Sequence, residues 1–274
     1  MTVEDDLVRL ARAHQSQLLT IRASTSTAIG ALWDRLVVNV TDDVFEQFTV
    51  AGARLLVASQ STAAAAVVAF VQQSVRVAGE APEPVTPDLA PSAFVEPRGV
   101  PVAQVLGRSI VQVRRGLAAG KPYDVAVLEG RARAVQTGAT EPMLAARQAS
   151  QAAMAAQPRI VGYRRVPDAD ACKFCLLAAT RRYVVADLMP IHPSCGCTTA
   201  PIIGRRDPGG VLDRGLVDQL MAADPALGKR GADRDIARRQ AAKQLDDANR
   251  LITVHEHGEL GPTLYQSGLS FEQI

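Results

Sequence analysis

The stretch "VFEQFTVAGARLLVASQSTAAAAVVAFVQQSVRV", residues 44–77, contains no proline and one glycine, Gly52. A glycine inside a helix costs about 1 kcal/mol relative to alanine and does not stop it. The preceding "TDD" reads as a helix start, with Asp43 as cap and Glu46 three residues on, and Gly79 reads as the stop. One long unbroken helix here argues for a mainly helical fold. Upstream, Leu7, Ala11, His14, Leu18 and Ile21 recur at spacings of three and four, the period of one helix face, and "TSTAIGALWDRLVVNV" continues apolar. His14 reads as a helix-face residue with no assigned role. Composition agrees: hydrophobic residues make up 47% of the 274, but aromatics only 4%, with much alanine. That mixture suits closely packed helices better than a β-sandwich, which leans on aromatic and β-branched residues.

Downstream the texture changes. Six of the 16 prolines fall between Pro82 and Pro101. Proline blocks helix propagation and stiffens the chain in an extended form, so this is a linker or wrapping arm and the clearest boundary in the sequence. Helical patterning resumes at 102, with Gly120 and Pro122 punctuating it. Pro142 fits a first-turn position, with Thr140 before it as cap. After Pro158 the segments "RIVGYRRV", "RYVV" and "CTTAPII" are short, β-branched and bounded by Pro, Asp and Gly, and read as three strands. The tail predicts helices near 211–223 and 232–250, then a strand followed by turns. The expected organisation is a helical N-terminal region (1–80), a Pro-rich linker (81–101), a helical basic segment (102–157), a Cys/His module with short strands (158–203), and C-terminal helices with a terminal strand and turns (204–274). The fold class is mainly α with a small α+β module.

The formal net charge of +2 hides an asymmetry. Residues 1–100 carry 7 basic and 11 acidic side chains, whereas residues 101–165 carry 10 basic and 3 acidic. A segment this basic faces either solvent along a helix or an acidic partner such as nucleic acid, for which Arg108, Arg114, Arg115, Arg131 and Arg133 are the candidate contacts. No uncharged apolar run reaches the ~20 residues of a membrane span, so no membrane partner is expected. The opening "MTVEDDLVRLARAH" is acidic and unlike a secretory signal. Synthesis in the cytoplasm is expected, where clustered thiols bind metal more often than they pair as disulfides.

All four cysteines and one of the four histidines lie in "DADACKFCLLAATRRYVVADLMPIHPSCGC", residues 168–197. Cys172 and Cys175 have the C-x-x-C spacing that brings two sulfurs to one side of a turn. His192, Cys195 and Cys197 follow as H-x-x-C-x-C. Thiolates and imidazoles are the preferred donors of structural zinc, which takes four of them. Five candidates compete for four corners: Cys172, Cys175, Cys195, Cys197 and His192. The two cysteines of a C-x-C in extended chain point to the same face, so the four cysteines form one candidate set, with His192 as substitute or supporting partner. Two disulfides, reduced unligated cysteines, or a cysteine nucleophile with His192 as base are the other readings. A nucleophile needs one activated thiol beside a base, and four clustered cysteines fit a crosslink better. The short strands around the cluster bury too little to be stable alone, so a crosslink would supply folding energy directly.

"HEHGELGP" places His255 and His257 around Glu256 without the H-E-x-x-H spacing of zinc proteases, and reads as a polar turn. No phosphate-binding G-x-x-x-x-G-K-S/T loop, G-x-S-x-G elbow or G-x-G-x-x-G is present. The expectation is a structural protein, not an enzyme.

The segment from about Arg164 to Ile203 resembles the phage head-morphogenesis family typified by the F protein of phage Mu, the minor capsid proteins. The shared pattern is an Asp (Asp168 or Asp170) before C-x-x-C, a variable loop, and a hydrophobic-Pro lead into H-P-x-C-x-C, here "MPIHPSCGC". The residue between the last two cysteines is often Arg in that family and is Gly196 here. The tail "VHEHGELGPTLY" is similar to relatives from phages of actinobacteria. The resemblance implies a low-copy virion protein, present in several copies at the portal vertex or capsid interior. Its partners would be the portal protein, the major capsid protein and packaged DNA, and it would act in head assembly or in DNA packaging and ejection. The alternatives are a capsid maturation protease and a non-specific DNA-binding virion protein.

Overall fold

The computed structural model describes residues 2–37, 39, 41–168, 179, 182–185, 196–209, 252–256 and 262–266, the last two ranges as paired strands. Among the described residues there are four α-helices: α1 (Val3–Leu36), α2 (Asp42–Val77), α3 (Val102–Ala118) and α4 (Tyr123–Ala155). Four short strands follow: β1 (Ile160–Val166), β2 (Thr198–Ile203), β3 (Ile252–Glu256) and β4 (Pro262–Gln266). β1 pairs with β2 and β3 with β4, both antiparallel. The protein is thus mainly helical with a small antiparallel sheet, as its composition implies. The chain divides into two units, one of residues 16–69 and 84–153, the other of 1–15, 70–83 and 154–274.

The first unit is helical. Its core joins Ile29, Leu32 and Trp33 of α1, Phe45, Phe48 and Leu56 of α2, Leu106, Ile110 and Val113 of α3, and Ala126 and Ala134 of α4. Trp33 meets Phe48 edge-on, with ring centroids 5.0 Å apart. Two glycines allow this closeness. A Cβ at Gly52 would lie 2.3 Å from Leu106, and one at Gly130 would meet Val113 at 2.3 Å and the Ser109 carbonyl at 2.9 Å. Gly52, in sequence only a tolerated position within α2, is therefore where α3 packs. The α3–α4 turn uses Gly120 at φ +76, with its N–H donating to Leu117 O at 3.0 Å and that of Lys121 to Gly116 O at 3.0 Å.

Two boundaries differ from expectation. Thr41, not Asp43, caps α2: its hydroxyl accepts the Val44 N–H at 3.4 Å, while Asp42 and Asp43 occupy the first turn, where the helix dipole favours negative charge. Pro142 does not start a helix but lies inside α4, and Thr140 donates to the Gln136 carbonyl at 2.8 Å as a helix-interior threonine does. The i−4 residue facing the proline ring is Gly138, which lies against Ser26 and Ile29 of α1. Packing over this stretch outweighs the one missing hydrogen bond.

The proline-rich arm is strapped down. It forms two 3₁₀ turns, Pro87–Leu89 and Pro91–Phe94, that bury Leu89 and Phe94. Its polar groups meet a buried cluster. Gln60 of α2 accepts the Glu96 N–H at 3.1 Å and donates to Glu141 of α4 at 2.9 Å, and Arg98 donates to the other Glu141 oxygen at 2.6 Å. Gln148 donates to Pro97 O at 2.7 Å, and the Glu96 carboxylate accepts the Val102 N–H that opens α3.

α2 is long and apolar enough to cross a membrane by length and composition alone, because no charge falls between Arg54 and Arg76. An all-apolar run does not mark it, since Ser, Thr and Gln punctuate it. In the fold its Phe45, Phe48, Leu56, Ala63, Ala64 and Val67 are buried inside the protein.

The second unit begins with a reciprocal cap: Thr2 Oγ1 accepts the Asp5 N–H at 3.2 Å, and the Asp5 carboxylate accepts the Thr2 N–H at 2.8 Å. Leu7 and Ala11 are buried as the helical period requires. Gln15 donates to the carbonyl of Val166, the last residue of β1, at 2.6 Å. Of the three expected strands around the cysteines, β1 and β2 form; "RYVV" contributes a single bridge at Tyr183, because only that residue exchanges backbone hydrogen bonds with β1. The expected tail helices lie outside the described residues. The terminal segment is a pair of strands, β3 and β4, and not a strand followed by turns. Alternating apolar residues in "PTLYQ" suit strand pairing once a partner is available.

His14 is no ordinary face residue. It is 5% exposed, its ring stacks on Phe70 at 4.2 Å, and its Nδ1 has no hydrogen-bond partner among the described residues. Burial pushes its pKa down from 6.5 to about 4. Between those values the unfolded chain holds the proton and the folded chain does not, so the stability present above pH 6.5 is lost as pH falls toward 4. Such a shift predicts a loss of roughly 3 kcal/mol over that window. Urea unfolding of wild type and His14→Phe at pH 7 and pH 4.5 measures it: the variant should lose clearly less, and equal losses would show that His14 is not the group responsible.

Candidate functional site

β1 and β2 are in continuous register from Gly162↔Ile202 to Val166↔Thr198, with a shift at Val161 before the last pair, Ile160↔Ile203. The chain leaves the sheet at Val166 and re-enters it directly opposite, at Thr198. The cysteine motif lies in the sequence between those two points. Cys197 lies at the re-entry point and is buried, as is Gly196 before it. Cys172, Cys175, His192 and Cys195 lie outside the described residues, and among the described residues no three metal-ligating side chains gather. His255 is on β3, opposite Thr263 of β4, which replaces the expected polar turn at that residue; His257 lies outside the described residues.

The chain between β1 and β2 is fixed part-way along. Tyr183 and Tyr163 exchange both backbone hydrogen bonds, at 2.9 and 3.0 Å, on the edge of β1 away from β2. Their rings stack at 5.1 Å, and the buried Arg165 guanidinium lies 4.9 Å from the Tyr183 ring centre. Gly162 makes this approach feasible, since a Cβ there would lie 2.6 Å from the Tyr183 carbonyl oxygen. Beside it, Asp207 accepts a two-pronged pair from Arg164, both bonds 3.0 Å, and a third from Arg182 Nε at 2.6 Å. The Gly209 N–H adds a fourth at 2.8 Å. Burial pushes the Asp207 pKa up, but the bonds from Arg164 and Gly209 and the charges of Arg164 and Arg182 outweigh it, so the carboxyl is held below the usual range.

None of this clasp is read from the sequence. The available signal is the pair Arg164–Arg165 inside an otherwise apolar strand. Neighbouring strand residues point to opposite faces, so two adjacent buried arginines require partners on both sides of the sheet.

The five candidate nucleic-acid arginines are not equivalent. Arg131 makes a bidentate pair with Asp34 at 2.6 and 2.7 Å, which lowers the Asp34 pKa and raises that of Arg131 through the hydrogen bond first and charge second. Arg114 pairs with Asp42 and lies over the Phe45 ring at 5.4 Å. Arg108 is half-buried. Arg115 and Arg133 are exposed and make no ion pair among the described residues.

A family model described as VG15 protein matches residues 1–221, which takes in the four helices, the β1–β2 sheet and the whole cysteine motif. Neither the curated proteins nor the solved structures contain a match. A match over that share of the sequence places the chain: it belongs to the VG15 protein family, a family of phage proteins.

Proposed function

We propose that this phage protein is a structural minor capsid component that acts in head morphogenesis at the portal vertex or capsid interior, with portal or major capsid protein as its partner. The observation that carries the reading is the β1–β2 register. It sets Val166 and Thr198, which flank the C-x-x-C…H-x-x-C-x-C segment in sequence, directly opposite each other, and closing that segment at its base suits a crosslinked structural module. The family match and the resemblance of that motif to head-morphogenesis proteins support the setting. Cross-linking mass spectrometry of purified particles tests it: links to portal or major capsid protein are expected, and finding the protein only in infected-cell lysate and never in particles would overturn it.

Zinc fits the donor set. Cys197 is buried at the end of a small sheet, and thiolates in such a place suit a soft, four-coordinate ion. Cys172, Cys175 and Cys195 would hold it with Cys197, or with His192 at the fourth corner. When bound, zinc would supply folding energy and no chemistry. Protein purified under reducing conditions should carry about one zinc per chain by elemental analysis. Less than about half an equivalent, with every thiol titrating, would refute the site.

The exposed Arg115 and Arg133 favour a second role, contact with packaged DNA through its phosphates. Duplex binding should weaken steeply with salt, and Arg115→Ala or Arg133→Ala should each flatten the log–log salt slope by about 1. Arg131→Ala, which removes a group already engaged by Asp34, should change the slope less. Salt-independent or absent binding would remove this role.

A further inference from the structure

The end of the β1–β2 sheet away from Cys197 gathers arginines. Ile203 and Arg206 exchange both backbone hydrogen bonds, at 3.1 and 2.9 Å, around the two-residue turn Gly204–Arg205. Gly204 takes the left-handed conformation, φ +56, that such a turn favours, and its N–H donates to the Arg159 carbonyl at 2.8 Å. Arg159, just before β1, is thereby held against the turn: a Cβ at Gly204 would lie 3.7 Å from its guanidinium. The Arg206 guanidinium lies 3.9 Å from where a Cβ at Gly79 would stand, at the end of α2 and three residues beyond Arg76. Arg76, Arg159 and Arg205 are exposed and Arg206 is half-buried. All four belong to the second unit.

The neighbouring carboxylates leave most of this charge standing. Glu80 bonds Arg159, at 2.8 Å, and Asp207, which follows the turn, is taken up by Arg164, Arg182 and the Gly209 N–H. Arg76, Arg205 and Arg206 make no ion pair among the described residues. The end of a helix favours a nearby cation, which accounts for Arg206 but not for Arg76 and Arg205. The clasp on Asp207 also fixes the turn, so these side chains project from a rigid base.

We propose that this turn binds the phosphate backbone of duplex nucleic acid. The inference rests on the DNA-contact reading above and gives that contact a second site, in the other unit. The four cations are all arginines, whose planar forks match phosphate oxygens. Gln157, the adjacent amide that could read a base edge, is spent on Glu83: its oxygen accepts the Glu83 N–H at 2.9 Å, and its amide donates to the Glu83 carbonyl at 3.4 Å. Phosphate contact without base contact carries no sequence preference. Phe70, Tyr163 and Tyr183, the aromatic residues of the adjoining helix and sheet, are buried. They offer no platform for unstacked bases, which favours a duplex over a single strand, and no aromatic anchor of the kind that protein interfaces are built on.

The test measures binding of the full-length protein to a labelled DNA duplex by fluorescence anisotropy across a salt series. Arg76→Ala and Arg205→Ala, both at exposed side chains, should each flatten the log–log salt slope by about 1, and the double variant by about 2. Glu80→Gln, which frees Arg159, should tighten binding and steepen the slope, a gain that a general loss of stability cannot produce. Two duplexes of unrelated sequence should bind within about threefold of each other. If the double variant binds as wild type does and Glu80→Gln binds no tighter, this site is overturned; loss of binding in Arg115→Ala with Arg133→Ala would then leave the DNA reading standing on that surface alone. If wild type binds no duplex, both sites fall. Single-stranded DNA, polyglutamate, anionic lipid vesicles or millimolar inorganic phosphate displacing the labelled duplex as well as unlabelled duplex does, at equal ionic strength, would also overturn the proposal, because the surface would then take anions without regard to their form.

Discussion

Glu141 places a fully buried carboxylate inside a helical unit, and the arm, α2 and α4 are all arranged to satisfy it. A buried charge without partners costs several kcal/mol, so Gln60 and Arg98 are obligatory neighbours. The consequences run outward from there. Gln60 spends its other amide atom on Glu96, which fixes the turn at the end of the arm, and Glu96 in turn receives the first free N–H of α3. Glu96 adopts φ +56, a left-handed conformation uncommon for a residue with a side chain, and is held there by bonds at both its backbone and its carboxylate. One ionised side chain thereby sets where a proline-rich segment stops and where a helix begins. Buried ion pairs of this kind contribute little net stability compared with apolar residues. What this one supplies is register.

The helices were legible because their signals are local. The apolar period of α1, the unbroken run of α2 and the Gly120–Pro122 break each depend on residues within a few positions of one another. Pro142 departs from expectation for the same reason: the local rule that proline opens helices competes with packing along all of α4, and packing prevails. Likewise the capping residue of α2 slipped by two positions, because Thr41, Asp42 and Asp43 are all competent caps and only the geometry of the α1–α2 turn chooses among them. The strap around Glu141 is invisible in the sequence, since its first and last members, Gln60 and Glu141, are 81 residues apart and none of Gln60, Glu96, Arg98 and Glu141 is unusual by itself. His14 looks like an ordinary helix-face residue in the sequence because periodicity marks a position as buried without saying what its ring meets.

For the site, spacing alone marks five candidate ligands and gives no sign of the clasp in the same stretch of sequence. The clasp depends on β1 being central, with β2 on one side and Tyr183 on the other. Arg164 and Arg165, adjacent in sequence, serve opposite faces of that strand, one reaching Asp207 and the other Tyr183. A count of charges along the basic middle segment does not register pairing across the fold. Arg114 and Arg131 are spoken for by Asp42 and Asp34, carboxylates from the acidic first hundred residues, so the charge asymmetry along the sequence is partly cancelled in space.

The pairing at Tyr163 has one more effect. Its N–H and carbonyl both go to Tyr183, so opposite it, on β2, Pro201 must direct its backbone away from β1 as well. Proline has no N–H to offer there. An incoming strand would therefore find a missing donor midway along the outer edge of β2, and on the far side of β1 a position already taken. Both margins of this small sheet resist extension by another chain. Copies of this chain that met would be kept from templating one another's strands there, and association would be left to surfaces other than the sheet.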